Sequence, residues 1–419
     1  MASEILKYQT ISNEEYTCHD WINSVDSTYM CCLKKSDSEY IFGWEALDSI
    51  PIPTTGYNAN LVDDFLSKNN DRYIFGFFSY DIKDVHTRSL LHEGKTKFPD
   101  LILFAAKNVV IQNESNQLYY GSYNDFVELE KPSHDDEFDL QMPGLTLEPN
   151  VDETTYIQHI KQIKAHIQQG DFYELNYCME YSGDLPNIES KKLFKKLMDV
   201  TKAPFSAFVD TPVCTVLSGS PERFINRRGD VITSQPIKGT SKRGQTPEAD
   251  HIIAETLVND EKEIAENVMI VDLVRNDLSK IAKKDSVRVP ELCKLYSFKT
   301  VHQLISTVQC CVKEGVSFSD ILEATFPMGS MTGAPKINAI KYAAHYESFN
   351  RGVYSGAVGM IEPNGNFDFN VVIRSIVLNK VNESIHVGIG GAITIKSDPK
   401  REYEECNLKY EAIRKLLNA

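Results

Sequence analysis

A chain of 419 residues, 42% of them hydrophobic, has enough apolar material for a large buried core and a length that suits about two or three domains. Its net charge of -15 excludes a nucleic-acid partner, because phosphate binding needs a basic surface, and makes an anionic substrate depend on local cations such as a divalent metal. No run of about eighteen apolar residues occurs, and Met1-Ala2-Ser3-Glu4 lacks the basic and apolar regions of a signal peptide, so a soluble cytoplasmic protein without a membrane partner is expected.

Residues 1–130 carry short β-type runs between polar turns, such as Tyr73-Ile74-Phe75-Gly76-Phe77-Phe78 and Leu101-Ile102-Leu103-Phe104, and predict a strand-rich N-terminal region. Residues 131–150 are acidic, hold Pro132, Pro143 and Pro149 and lack periodicity, so they read as a linker. The remainder, residues 151–419, is the expected catalytic domain, in which helical patterns alternate with strands. Its first helix spans Asp152 to Gly170: Tyr156, Ile160, Ile163 and Ile167 recur at helical spacing and Gly170 supplies a stop. Strands are expected at Cys214 to Leu217, Val231 to Ser234, Tyr354 to Ile361, Asn370 to Leu378 and Ser384 to Ile389. Nine cysteines show neither Cys-x-x-Cys nor zinc spacing and read as reduced, mostly buried thiols.

Several segments could carry chemistry. Glu222 follows a Ser-Pro turn, which either presents its carboxyl to a pocket or begins a surface loop. Lys238 stands between a proline and a Gly-Thr turn in Gln235-Pro236-Ile237-Lys238-Gly239-Thr240. Glu263 and Glu266 share one face of a helical stretch from about Ala249 to Ala282. In the last helix Glu402 and Glu405 repeat that spacing, with Lys409 four residues on, beside an apolar stripe of Tyr403, Cys406, Tyr410, Ile413 and Leu417. Such glutamates either ligate a hard cation such as Mg²⁺ or are solvated members of ordinary helix pairs. Gly329 to Lys336 leads into a helix ending near Tyr346, with Pro335 suited to its first turn. Its amides either hold a carboxylate or make a tight turn, and the missing Gly-Lys-Ser/Thr ending excludes a P-loop. Gly388-Ile389-Gly390-Gly391 inside a strand pattern marks close approach of a ligand or a bulge. Arg374, in the apolar run Val371 to Val377, is paired with a carboxylate if buried and otherwise lies on an exposed strand face.

Jointly, from Gly170 to Lys409, these segments resemble the chorismate-utilising enzymes. Pro236-Ile237-Lys238-Gly239-Thr240 resembles the form found in the aminodeoxychorismate synthase component I branch, where anthranilate synthase carries alanine for the lysine. Phe77-Phe78-Ser79-Tyr80-Asp81 is similar to a segment in the N-terminal part of the same synthases. The resemblance implies an α+β fold, with large β-sheets packed as a sandwich and helices on the outside. It implies Mg²⁺ held by Glu266 and Glu405, with Glu263 and Glu402 supporting metal-bound waters. Lys238 becomes a nucleophile toward ring carbon C2, which calls for a lowered pKa, and Glu222 a general acid, which calls for a raised one. Substrate contacts are implied for Gly239, Thr240, Ser330, Tyr354, Arg374, Gly390, Gly391 and Lys409, and for His302 and Glu174.

By the same resemblance the substrates are chorismate and ammonia, in the route to 4-aminobenzoate and folate. The sequence shows no amidotransferase cysteine turn and no fused lyase segment, so a separate glutamine amidotransferase subunit is expected to supply ammonia. Anthranilate synthase component I and a non-catalytic chorismate-binding protein are the rival readings. Lys238 disfavours the first, and the joint presence of acid, nucleophile and metal positions the second. Two residues depart from the family pattern. Glu174, in Gly170-Asp171-Phe172-Tyr173-Glu174-Leu175-Asn176, replaces the glutamine of amine-adding synthases and the lysine that activates water in water-adding ones, which disfavours water addition. That leaves Glu174 to position ammonia, accept a proton or reach no substrate at all. Ala392 stands where a further glycine is common.

Overall fold

Antiparallel pairing links twenty strands into one continuous sheet in a computed structural model that describes residues 7–11, 17–36, 38–51, 57–82, 98–113, 117–121 and 144–418. The strands are β1 (Lys7–Ile11), β2 (Met30–Lys34), β3 (Tyr40–Ser49), β4 (Ile74–Phe78), β5 (Leu101–Gln112), β6 (Gln117–Gly121) and β7 (Glu148–Pro149). Next come β8 (Glu174–Asp184), β9 (Phe205–Asp210), β10 (Cys214–Ser220), β11 (Arg223–Arg228), β12 (Val231–Ser234), β13 (Ile237–Lys242), β14 (Arg288–Ser297) and β15 (Val301–Cys311). The last five are β16 (Gly333–Ala334), β17 (Ala357–Ile361), β18 (Phe367–Val371), β19 (Ser375–Asn379) and β20 (Ser384–Ile393).

The long strand β5 is the junction of the sheet. On one edge it pairs with β3, from which an arm runs through β2, β9, β10, β19 and β20 to β8. On the other it pairs with β6 and β4, and a second arm runs from β4 through β17, β18, β11 and β12 to β15, which β13 and β14 flank. The two arms face one another. Leu33 and Ile41, Phe75 and Phe77, Val209 and Val216, and Val358 and Met360 pack into one core cluster contributed by both arms, which is what makes the sheet a sandwich. Strands from residues 1–130 and from beyond residue 151 alternate in this sheet, since β2 pairs with β9 and β4 with β17. Of the expected linker, residues 131–143 lie outside the described residues, and the remainder ends in β7, paired with β8.

Helices cover the outer faces. On the first arm lie α1 (Cys18–Ser24), α3 (Glu153–Gln169), α4 (Ser190–Thr201), α8 (Lys336–Tyr346) and α9 (Pro399–Leu417); on the second lie α2 (Ala59–Lys68), α6 (Glu261–Ile281) and α7 (Phe318–Thr325). The periodic residues of α3 behave as the sequence predicts: Tyr156, Ile160 and Ile163 are buried, and Gly170, at φ 88°, ends the helix by donating to the His166 and Ile167 carbonyls. One expected helix is two. The stretch from about Ala249 to Ala282 divides into α5 (Pro247–Val258) and α6, because the Asp260 carboxylate accepts the backbone N–H groups of Lys262 and Glu263 and so starts a new helix. Two expected strands are also corrected. Asn370 to Leu378 splits into β18 and β19 around a turn, and Tyr354 precedes β17 in a turn of its own. Seven of the nine free cysteines are buried and Cys293 and Cys311 partly so. Among the described residues no helix is long and apolar enough to cross a membrane.

Candidate active site

The far ends of the two arms meet at an ion pair. Lys238, on β13, donates from Nζ to Glu174 Oε1 at 2.7 Å, and Glu174, the first residue of β8, is fully buried. Both are fixed from behind. Asn267 on α6 donates its amide to the carbonyls of Lys238 (3.4 Å) and Leu304 (3.2 Å), tying β13 to the helix. Ala334 of β16 pairs with Glu174, and Gly333, at φ 128°, allows this because a Cβ there would lie 2.1 Å from the Glu174 carbonyl oxygen. Burial alone would lower the Lys238 pKa, but the charge and hydrogen bond of Glu174, with Glu266 and Glu222 behind them, outweigh it and hold the amine charged. The sequence reading called for the opposite shift. Three carboxylates around one amine reverse it.

Glu222 stands at the corner between β10 and β11, its backbone N–H donating to the Ser220 hydroxyl and its carbonyl accepting from Val371. Burial pushes its carboxyl up to about 7, against the opposing hydrogen bond from Ser330 and the charge of Lys238. That is the shift a proton donor near neutrality requires. A narrow cleft opens beside Glu222 and Ser330 and runs between apolar walls that include Phe224, Leu278 and Met328. Arg374 lies in the turn between β18 and β19 with φ 49°, exposed and within electrostatic reach of Glu222. Its guanidinium makes no hydrogen bond or ion pair with the described residues.

Four glutamates gather where α6 approaches α9. Glu263 and Glu266 come from the start of α6, Glu402 and Glu405 from the start of α9, and all four raise the pKa of Lys262, whose Nζ lies 3.7 Å from Glu266 Oε1. Burial pushes Glu266 up to about 7 and also raises Glu263 and Glu402. In Glu405 burial acts the same way, but Lys409, 2.8 Å away, prevails and holds it below the usual carboxylate value. Lys409 also donates to the Gly390 carbonyl at 2.8 Å, and Glu402 faces Gly391, where a Cβ would sit 3.5 Å from its carboxylate. Glu263 likewise borders Gly239, which has φ 89°. No three acidic, histidine or cysteine side chains converge at metal-holding distance among the described residues. The donor chemistry nevertheless fits Mg²⁺, which is satisfied by a few carboxylates, waters and substrate oxygens: the donors are hard, and the buried Glu266 Oε1 has no hydrogen-bond partner.

The remaining residues named from sequence are distributed unevenly. Ser330 sits in a one-turn 3₁₀ segment, Gly329–Met331, facing Glu222, and Thr240 accepts from Gln303 at the exposed side of β13. His302, on β15, uses both ring nitrogens within the protein, on Asp250 (2.9 Å) and Ser297 (2.8 Å). Tyr354 is buried against Gly388, its hydroxyl 4.0 Å from Cys178 Sγ. Gly388 to Gly391 form no bulge, since β20 keeps register with β8 from Ser384 to Ile393; Gly388 makes room for Tyr354 and Gly390 for Cys178. Sequence reasoning missed Lys262, although its i, i+4 spacing to Glu266 was a signal, and it missed Arg351. That buried guanidinium grips Glu347, four residues before it, twice and donates to the carbonyls of Met331 (2.7 Å) and Asn176 (2.8 Å), one residue on from Ser330 and two on from Glu174. Its i, i+4 spacing to Glu347 was a local signal, but nothing local signalled its reach to the site.

Comparison with known proteins gives the family and the fold. A family model described as chorismate binding enzyme matches residues 44–415. The chain is 30% identical over 370 residues to aminodeoxychorismate synthase component 1 of Bacillus subtilis, covering 84% of this chain and 76% of that one. It is 34% identical over 363 residues to the chloroplastic aminodeoxychorismate synthase of Arabidopsis thaliana, covering 80% and 39%. An anthranilate synthase component 1 of Haloarcula marismortui is 35% identical over 260 residues, covering 62% and 53%. The chain therefore spans well under half the length of the plant relatives it matches, 29% of the rice protein and 39% of the Arabidopsis one. The fold matches the menaquinone-specific isochorismate synthase of Escherichia coli (TM-score 0.78, 16% identity, 99% and 95% covered). It also matches anthranilate synthase component I of Streptococcus pneumoniae TIGR4 (TM-score 0.75, 21% identity, 99% and 93% covered).

Proposed function

Because the chain belongs to the chorismate binding enzymes, we propose that it aminates chorismate to 4-amino-4-deoxychorismate, as component I of an aminodeoxychorismate synthase feeding 4-aminobenzoate and folate. The observation that carries this reading is the amine of Lys238 in contact with the buried carboxylate of Glu174 and within electrostatic reach of buried Glu222, whose raised pKa suits a proton donor. Lys238 starts as an ammonium and passes a proton to Glu174 Oε1, at 2.7 Å the base in contact with it. Its free nitrogen then bonds ring carbon C2, both conjugated ring double bonds shift by one position away from C2, and the C4 hydroxyl leaves as water with the proton of Glu222. Ammonia next bonds C4 as the double bonds shift back and the Lys238–C2 bond breaks; the ammonium so formed at C4 returns a proton to Glu222, and the released lysine recovers its own from Glu174. Ser330 holds Glu222 toward the pocket, and Arg374 and Lys409 offer cations to the substrate carboxylates. Mg²⁺, which Glu266 and Glu405 would hold with Glu263 and Glu402 behind its waters, would supply the positive charge that a dianionic substrate needs in an acidic protein.

Ammonia is read as coming from a glutamine amidotransferase partner, in keeping with the component 1 naming of the Bacillus relative. The test is product analysis with chorismate, ammonium and Mg²⁺, with an aminodeoxychorismate lyase added to release 4-aminobenzoate. Aminodeoxychorismate is the expected product. Anthranilate as the main product would favour the second reading, to which the Haloarcula relative lends weight.

A further inference from the structure

Glu174 and Ser330 stand on separate elements, the first on β8 and the second on the 3₁₀ segment Gly329–Met331. Backbone bonds join these elements through the two-residue strand β16 and from the Asn176 N–H to the Thr332 carbonyl at 2.9 Å. Arg351 spans the same gap with its side chain. The guanidinium is buried and all three of its nitrogens donate: Nε and Nη2 to the two Glu347 oxygens at 2.8 and 2.6 Å, Nη1 to the Met331 carbonyl at 2.7 Å, and Nη2 again to the Asn176 carbonyl at 2.8 Å. One carbonyl belongs to each element, and a planar fork fixes the angle between its donors, so it sets how far apart the two stand. The loop that carries Arg351 is held in turn by the N-terminal half of the chain. Its guanidinium lies over the Tyr80 ring, 4.3 Å from the centroid. The Gly352 carbonyl accepts from the Ser79 hydroxyl (2.7 Å) and the Tyr80 N–H (2.8 Å), and the Gly352 N–H donates to Asp81 (2.8 Å). Ser79-Tyr80-Asp81, remote in sequence from every reacting group, thus ends at the clamp.

Resting on the amination reading, we propose that Arg351 is a positioning residue: it holds the Ser330 turn and the start of β8 at the separation at which Ser330 meets Glu222 and Glu174 meets Lys238, while Ser79-Tyr80-Asp81 holds Arg351. Its effect passes through the backbone of both elements. Charge alone does not account for an arginine here. A lysine would neutralise Glu347, but one compact ammonium on a flexible stem cannot grip Glu347 and also donate to two carbonyls on different elements at a fixed angle. A displacement of about 1 Å at a reacting group slows chemistry by up to about a hundredfold. Substrate binding through Arg374 and Lys409, which Arg351 does not touch, is left in place.

The experiment measures chorismate consumption with ammonium and Mg²⁺ by the full chain and two variants, each well below its own melting temperature. Arg351→Lys keeps a positive charge beside Glu347 and loses the fork. Its kcat is expected to fall about tenfold while the KM for chorismate stays within about twofold. Glu347→Gln removes the counter-ion and leaves both carbonyl bonds in place. Its melting temperature is expected to fall while kcat stays within about twofold. A wild-type kcat in Arg351→Lys overturns the inference. So does a loss of kcat in Glu347→Gln, because activity would then follow the stability of the ion pair, and this arm decides the matter even where the lysine variant does not fold. A chorismate KM that rises about tenfold in Arg351→Lys also overturns it, by moving the effect from chemistry to binding. The identity of the product, aminodeoxychorismate or anthranilate, decides the amination reading alone, since either one consumes chorismate and leaves the contrast between the variants to be read in the same way.

Discussion

Removing Lys238 leaves Glu174 charged, buried and without a counter-ion, a change that costs about 3–5 kcal/mol in comparable buried pairs. Lys238→Ala is therefore expected to lose both the amino product and much of its thermal stability. Adding Glu174→Gln should restore stability but not product; a double variant as unstable as the single one would show that the pair is not coupled. Glu222 gives a second test. Its folded-state pKa of about 7 lies above the ordinary 4.5, so between these values the folded chain binds more protons than the unfolded one. Stability contributed by the neutral carboxyl is complete below about 4.5 and is lost as pH rises through about 7, a difference of about 3 kcal/mol. Glu266 titrates in the same window and direction. Melting temperatures measured from about pH 5 to about pH 8 should fall in the wild type and fall less steeply in Glu222→Gln. Equal slopes would place the raised pKa elsewhere. Residues with distinctive neighbours, such as Lys238 after Pro236 or Glu222 after Pro221, were legible in the sequence. The reach of Arg351 to the site was not, because only its i, i+4 partner Glu347 is local, while Met331 and Asn176 stand 20 and 175 residues away.

Two short elements decide where the reactive groups stand, and only part of their design could be read from sequence. The 3₁₀ segment Gly329–Met331 and strand β16 turn a glycine-rich stretch into a wall of the pocket, with Ser330 on Glu222 and Ala334 paired to Glu174. Gly333→Ala places a Cβ 2.1 Å from the Glu174 carbonyl at a φ of 128°, so β16 must move off β8. The expected result is a loss of about 1–3 kcal/mol in stability and a fall in kcat larger than any change in the KM for chorismate. Unaltered kcat would mean that Glu174 keeps its position without β16. The glycines of this stretch signalled a tight turn, but its pairing with β8 is non-local and left no mark on periodicity. The helix broken at Asp260 was misread for the opposite reason: apolar spacing runs through both halves and hid the capping residue between them. The turn at Val372 to Arg374 reads as a strand because Val372 is fully buried and Ile373 partly so.

At the scale of the molecule, strand-rich composition and a sandwich were legible, but the route of the sheet was not, since pairings such as β4 with β17 join residues about 280 apart. That route has a consequence for how the protein comes into being. The arms share a root at β5 and touch again at the Lys238–Glu174 ion pair, so the seam can close only after both arms have been laid down. The only two tryptophans, Trp21 and Trp44, stack with centroids 6.3 Å apart near the root. During refolding from denaturant, tryptophan fluorescence should thus recover before the capacity to turn over substrate. Simultaneous recovery of the two signals would indicate that root and seam form in one step. The interval between them is the lifetime of a chain whose architecture is largely built but whose chemistry has not yet begun, and a substrate that bridges the seam should shorten it by holding the late contact in place.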